Sequence, residues 1–103
     1  MTDGIVYRGL RDEGGRALVI VLAGSARRPL KHYVYHSPTG FNWGYGGSGP
    51  ADLALAILAN HFGARPTPNV IRSYGAARLR CIDLHQPFKR AVVSHLPREK
   101  PDG

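Results

Sequence analysis

The part of this sequence best equipped for chemistry is the loop Thr39-Gly40-Phe41-Asn42-Trp43-Gly44-Tyr45-Gly46-Gly47-Ser48-Gly49, which runs through Pro50 into an apolar segment. Glycines permit close backbone approach, and a glycine-rich loop that feeds a helix N-terminus is a natural anion site. Free amides at Gly46, Gly47 and Gly49, with Ser48 among them, can cradle a phosphate while Trp43 or Tyr45 stacks on a base. Those six residues form the candidate ligand set. The details weaken the case. No Lys-Ser/Thr pair follows the glycines, so this is no phosphate-binding P-loop. The spacing departs from the dinucleotide fingerprint, which also needs an acidic residue about 20 positions on. Asp52, close behind the loop, adds negative charge where an anion would sit. The competing reading is structural: the glycines let the chain wrap the indole and set the helix against a sheet.

Other constellations are weaker. His32 and His36 form an HxxxH pattern, the spacing that brings two imidazoles to one metal on a helix. The intervening Tyr33-Val34-Tyr35 favours a strand, where residues four apart lie about 13 Å from each other, so no metal site is assigned. Tyr33 and Tyr35 then share one strand face and, beside Arg8, Arg27 and Arg28, can form a platform for single-stranded nucleic acid. Ser48 lies outside the GxSxG pattern of a nucleophile elbow, since Pro50 stands where the second glycine belongs. Cys81 with His85 is the remaining nucleophile–base pair. With seven acids scattered singly, no paired carboxylates are in evidence. The sequence reads as non-enzymatic, with no cofactor.

Charge gives a broader hint. The chain of 103 residues has a formal net charge of +7. Residues 1–64 carry six Lys/Arg against four Asp/Glu, and residues 65–103 carry eight against three, so the C-terminal part holds most of the excess. A basic balance suits an anionic partner such as nucleic acid, a nucleotide or an acidic protein face. Arg27, Arg28, Lys31, Lys89 and Arg90 are the contact candidates. The single cysteine excludes an intrachain disulfide and a thiolate metal cluster. No apolar run approaches the roughly 20 residues of a bilayer span, and the N-terminal segment lacks the pattern of a signal peptide. A cytoplasmic protein without membrane contact is the expectation.

The elements that must position these residues follow from pattern. Residues 5–10 and 16–22 read as strands around the turn Arg11–Gly15. Leu18–Leu22 is apolar on both faces and is expected to be the most buried strand. A loop over 23–29 leads to a third strand, Leu30–His36. Pro50 starts a helix with Gly49 as its cap, and Asp52 reaches back towards that cap as in a capping box. Leu53, Leu55, Ile57 and Leu58 alternate with alanines and leave no polar stripe, which only a helix covered on more than one side tolerates. Gly63 ends it. Residues 63–69 form a stiff exposed connector, and 70–84 fit a strand or a helical turn equally. A second helix runs from Pro87 to Leu96, with Phe88, Ala91, Val92 and Leu96 on one face.

The blocks SPTGFNWGYGGSGPADLALAIL (37–58) and HQPFKRAVVSHLP (85–97) resemble a family of small bacterial and phage proteins designated domain of unknown function 6166. The first block is long and specific, the Phe88-Lys89 and Leu96-Pro97 pairs strengthen the match, and the resemblance covers most of the chain. The family pattern continues past Pro97 with a tryptophan-containing tail and a last helix, which this sequence does not carry. The resemblance implies an accessory product of phages, plasmids or other mobile elements, with no activity to transfer. The expected protein is a single α+β domain over residues 1–97 with a disordered tail at 98–103. A three- to four-stranded antiparallel sheet packs on a central buried helix, and a second helix flanks it. Its expected function is non-catalytic binding of a host macromolecule or nucleic acid, with nucleotide binding through the glycine-rich loop as the alternative. So apolar a central helix leaves room for self-association.

Overall fold

The structure, a computed structural model, describes residues 4–70 and 79–97. The expected tail at 98–103 and the middle of the ambiguous segment, 71–78, lie outside the described residues. The fold is α+β. Three antiparallel strands, β1 (Ile5–Arg11), β2 (Ala17–Ala23) and β3 (Ala26–Pro29), form a sheet in that order. Helix α1 (Ser48–Phe62) packs on the sheet, α2 (Arg80–Ala91) packs on α1, and a 3-10 turn (Val93–His95) follows.

The first hairpin forms where glycines and an aspartate predicted it. Asp12 Oδ1 accepts the amides of Gly14 and Arg16 at 2.9 and 2.8 Å, closing the turn between β1 and β2. The second hairpin corrects the sequence reading. Ala23 pairs directly with Ala26 across Gly24-Ser25, and Gly24 takes a left-handed φ of 62°. The strand therefore falls on Ala26–Pro29, inside the expected loop, while Leu30–His36 is no strand. Leu30 N still donates to Val19 O at 2.9 Å, after which the chain leaves the sheet. The cause lies in α1: a buried carboxylate, described below, takes amides of residues 35–37 that a third ladder would have used.

The two faces of β2 are covered unequally by the described residues. Val19 and Val21 point into the core, whereas Leu18 on the opposite face is 41% exposed. Pairing in register places Val6, Leu10, Leu18, Ile20 and Leu22 on this outer face. The strand is apolar on both sides without being buried on both.

Helix α1 is the centre of the fold, as its pattern requires. Leu53, Ala54 and Ala56 pack towards Val19, Val21, Leu30, Trp43 and Val93. Leu55 and Ala59 pack towards Cys81 and Ile82 of α2. Alanines at 54, 56 and 59 are essentially inaccessible, and of the two neighbouring layers it is α2 that approaches α1 closely. Gly63 caps its end in the left-handed region at φ 68°, and its following amide at Ala64 donates to Ala59 O at 2.8 Å. The connector that follows is not wholly exposed, because Pro66 is buried.

The second helix begins seven residues earlier than expected, at Arg80, and contains Pro87. Cys81, Ile82 and His85 supply the buried stripe, with Asp83 in the first turn and Lys89 and Arg90 in the last, each favourable to the helix dipole. Pro87 and Asp83 are both exposed, so the Asp83 carbonyl that loses an N–H partner at Pro87 can turn to water. This helical assignment of 80–84 leaves a three-stranded sheet among the described residues. The helix stops at Ala91, and the tighter turn carries Val93 into the core while Val92 and Leu96 stay 41% and 40% exposed. The change of helical geometry overturns the expected Val92–Leu96 face.

Candidate functional site

Asp52 organises everything around it. It is the fifth residue of α1 and is wholly buried, turned away from the helix start. The helix cap is Gly47, with Ser48 as first residue, so Asp52 lies too deep to close a capping box. Its carboxylate instead accepts from the segment that leaves the sheet. Oδ2 takes the His32 ring at 2.8 Å, the Tyr35 amide at 3.2 Å and the Ser37 amide at 2.9 Å. Oδ1 takes the His36 amide at 2.8 Å. Four donors at one carboxylate meet the requirement that a buried acid be fully hydrogen-bonded. They also fix residues 32–37 in a shape no sheet could give them.

That shape presents His36 to α2. His85 donates through Nδ1 to the carbonyl of Ile82, which can only accept, so its Nε2 carries the lone pair. His36 Nε2 lies 2.9 Å from His85 Nε2 and must be the donor. Tyr35 meets both imidazoles edge-on, at centroid distances of 4.7 and 5.8 Å. His85 is 4% exposed, and desolvation pushes its pKa down, with the His36 and Lys89 charges acting in the same sense against the Ile82 carbonyl and Asp52. His85 is therefore not a partner for Cys81. That thiol is 1% exposed and its pKa is raised by the same loss of water, so the pair lacks a reactive thiolate.

The glycine-rich loop divides into core and surface. Trp43 is 4% exposed and belongs to the main core, away from any position where it could stack on a base. Its ring lies so close to β1 that a Cβ on Gly9 would stand 2.9 Å from Cη2. Arg11 lies over the indole ring at 4.6 Å and bonds Asn42 Oδ1 at 2.7 Å. Gly49 is buried against Asn42, with 2.8 Å between its would-be Cβ and the Asn42 Cβ. Gly47 lies under the Tyr45 ring at 2.5 Å by the same measure, while Tyr45, Gly46 and Ser48 are exposed. Packing thus accounts for two of the glycines. A cavity of about 320 Å³ borders this loop, with Arg11, Arg16, Tyr45 and Ser48 among its walls.

The five candidate cations do not share a surface. Arg27 pairs with Leu22 and lies on the outer sheet face, whereas Arg28 pairs with Val21 on the face towards α1 and bonds Asn60 of that helix. Lys89 and Arg90 occupy the last turn of α2. Arg28 and Lys31 instead join a residue that sequence reasoning missed. Together with Arg65, Tyr33 and Thr67 they line a groove of about 710 Å³ between β3 and the end of α1. Among the described residues no carboxylate lines it. Lys31 Nζ sits 5.8 Å from the Tyr33 ring centroid, so the tyrosine is a groove wall and not part of an exposed strand platform. Carbonyls at the C-terminal end of α1 would repel an anion, but those of Ala59 and Asn60 accept the amides of Ala64 and Gly63. Arg65 follows the Gly63 cap by two residues, which was the one available signal that it would return to the helix end.

This sequence matches the family model described as a family of unknown function (DUF6166) over residues 7–101. The chain belongs to that family. No curated protein and no solved structure matches it significantly. Among the described residues no helix is long and apolar enough to cross a membrane.

Proposed function

We propose that this family member is a non-catalytic binding module for single-stranded nucleic acid, which lies in the groove between β3 and the C-terminal end of α1. The observation that supports this is the convergence of Arg28, Lys31 and Arg65 on a groove that no carboxylate of the described residues lines. Guanidinium and ammonium groups neutralise backbone phosphates, and the Tyr33 ring offers one base a stacking surface. Strands are favoured over duplex because the groove is bounded by an edge strand and a helix end, with no element projecting to enter a major groove.

Three phosphate contacts on a single strand give a slope of about −2 in a plot of log affinity against log salt. Fluorescence anisotropy with a labelled oligonucleotide measures it. The triple variant R28A/K31A/R65A is expected to lose most of the affinity and of the slope, while R27A and R90A change both little. Equal binding by the triple variant and the parent chain would end this reading.

A further inference from the structure

We propose that the His36–His85 pair is a binding site for a divalent transition cation of the imidazole-preferring class, Zn²⁺, Ni²⁺ or Cu²⁺. The two Nε2 atoms converge to 2.9 Å from elements 49 residues apart in sequence. Each ring is held from behind. His85 Nδ1 donates to the Ile82 carbonyl, the outer contact that orients metal-ligating histidines and keeps the opposite nitrogen basic. His36 is fixed through its own amide, which Asp52 Oδ1 accepts at 2.8 Å. The two nitrogens are therefore brought together before any ion arrives, with the rings meeting head-on.

One proton now joins the pair. Coordination replaces it: the His36 Nε2–H bond breaks and that proton passes to solvent while Nδ1 of the same ring takes one up, so the imidazole stays neutral and both Nε2 lone pairs are free for the cation. With metal–nitrogen bonds of about 2.0–2.1 Å, the existing separation suits an N–metal–N angle of about 90°, the cis angle of a tetragonal Cu²⁺ or Ni²⁺ site, once the rings, whose centroids are 5.1 Å apart, turn their Nε2 atoms to one side. Opening the pair by about 0.5 Å reaches the tetrahedral angle that Zn²⁺ favours. His36 is exposed, so that adjustment and the approach of an ion are both open. Among the described residues no third His, Cys, Asp or Glu joins the pair, which leaves the remaining positions to water. The Gln86 amide nitrogen lies 3.5 Å from His36 Nε2, and turning that amide over brings its oxygen to one of them.

The experiment is isothermal titration of the chelator-treated full chain with ZnCl₂, NiCl₂ and CuCl₂. The expected result is one equivalent bound, with H36A and H85Q each weakening affinity at least tenfold and H61A/H95A leaving it unchanged. Because His36 is exposed, H36A keeps the fold, and a thermal melt without metal verifies this. Imidazole ¹⁵N spectra are expected to show the Nε2 signals of residues 36 and 85 moving on addition of Zn²⁺. The proposal falls if none of the three metals binds, or if binding survives in H36A.

Discussion

Replacing Asp52 by alanine removes the acceptor of three backbone amides and one imidazole in a single change. The Ser37 amide is the most enclosed of these donors and gains no partner, while those of Tyr35 and His36 can reach water only if the segment loosens. At about 1–3 kcal/mol for each buried donor left without a partner, Asp52→Ala is expected to destabilise the chain by about 3 kcal/mol or more, read as a lower urea midpoint. Asp52→Asn is expected to cost about 2 kcal/mol, because one oxygen still accepts while the amide nitrogen faces donors. An alanine variant as stable as the parent would show that residues 32–37 are held by other contacts. Nothing in the sequence around Asp52 announces this role. Its position near a proline and three residues from a glycine reads as helix capping, and its true partners lie 15 to 20 residues upstream. The His36–His85 contact was illegible for the same reason. A pattern four residues apart drew attention, whereas the geometry joined one of those histidines to another element.

At the scale of elements, local chemistry and tertiary demand can be separated. The first hairpin, α1 and its Gly63 terminus were legible because their signals are local: a turn aspartate, an all-round apolar helix, a left-handed glycine. β3 and the start of α2 were not, since Arg27-Arg28-Pro29 pairs only because a two-residue turn leaves it opposite β2, and Pro87 outweighed the Cys81-Ile82-His85 stripe. The junction between loop and α1 makes a sharp prediction. Gly49 faces the Asn42 backbone nitrogen at 3.1 Å as well as its Cβ, so an added methyl meets chain that cannot rotate aside. Gly49→Ala is expected to destabilise by about 1–3 kcal/mol through overpacking, measured by thermal denaturation. Gly46→Ala, where nothing lies within 4 Å, is expected to change stability little. Equal effects at the two positions would mean that the loop is not seated on the helix as described.

The described residues of the molecule form three layers, of which the middle one is closed on both sides. Leu55, fully buried between α1 and α2, and Leu18, on the outer face of the sheet, therefore report on different boundaries. Leu55→Ala leaves a cavity between two packed helices and is expected to cost about 2–5 kcal/mol, near the whole stability of a small domain. Leu18→Ala removes a side chain that is 41% exposed and is expected to cost about 1 kcal/mol or less, with no dependence on protein concentration. Denaturant unfolding of both variants at low and high micromolar concentration tests the pair together. The inequality follows from the layer order: among the described residues the sheet covers one side of α1 and α2 the other, while Leu18 on the back of the sheet stays 41% exposed. A Leu18 effect as large as that at Leu55, growing with concentration, would mean that a second copy covers the outer face in solution and that the closed unit is larger than one chain.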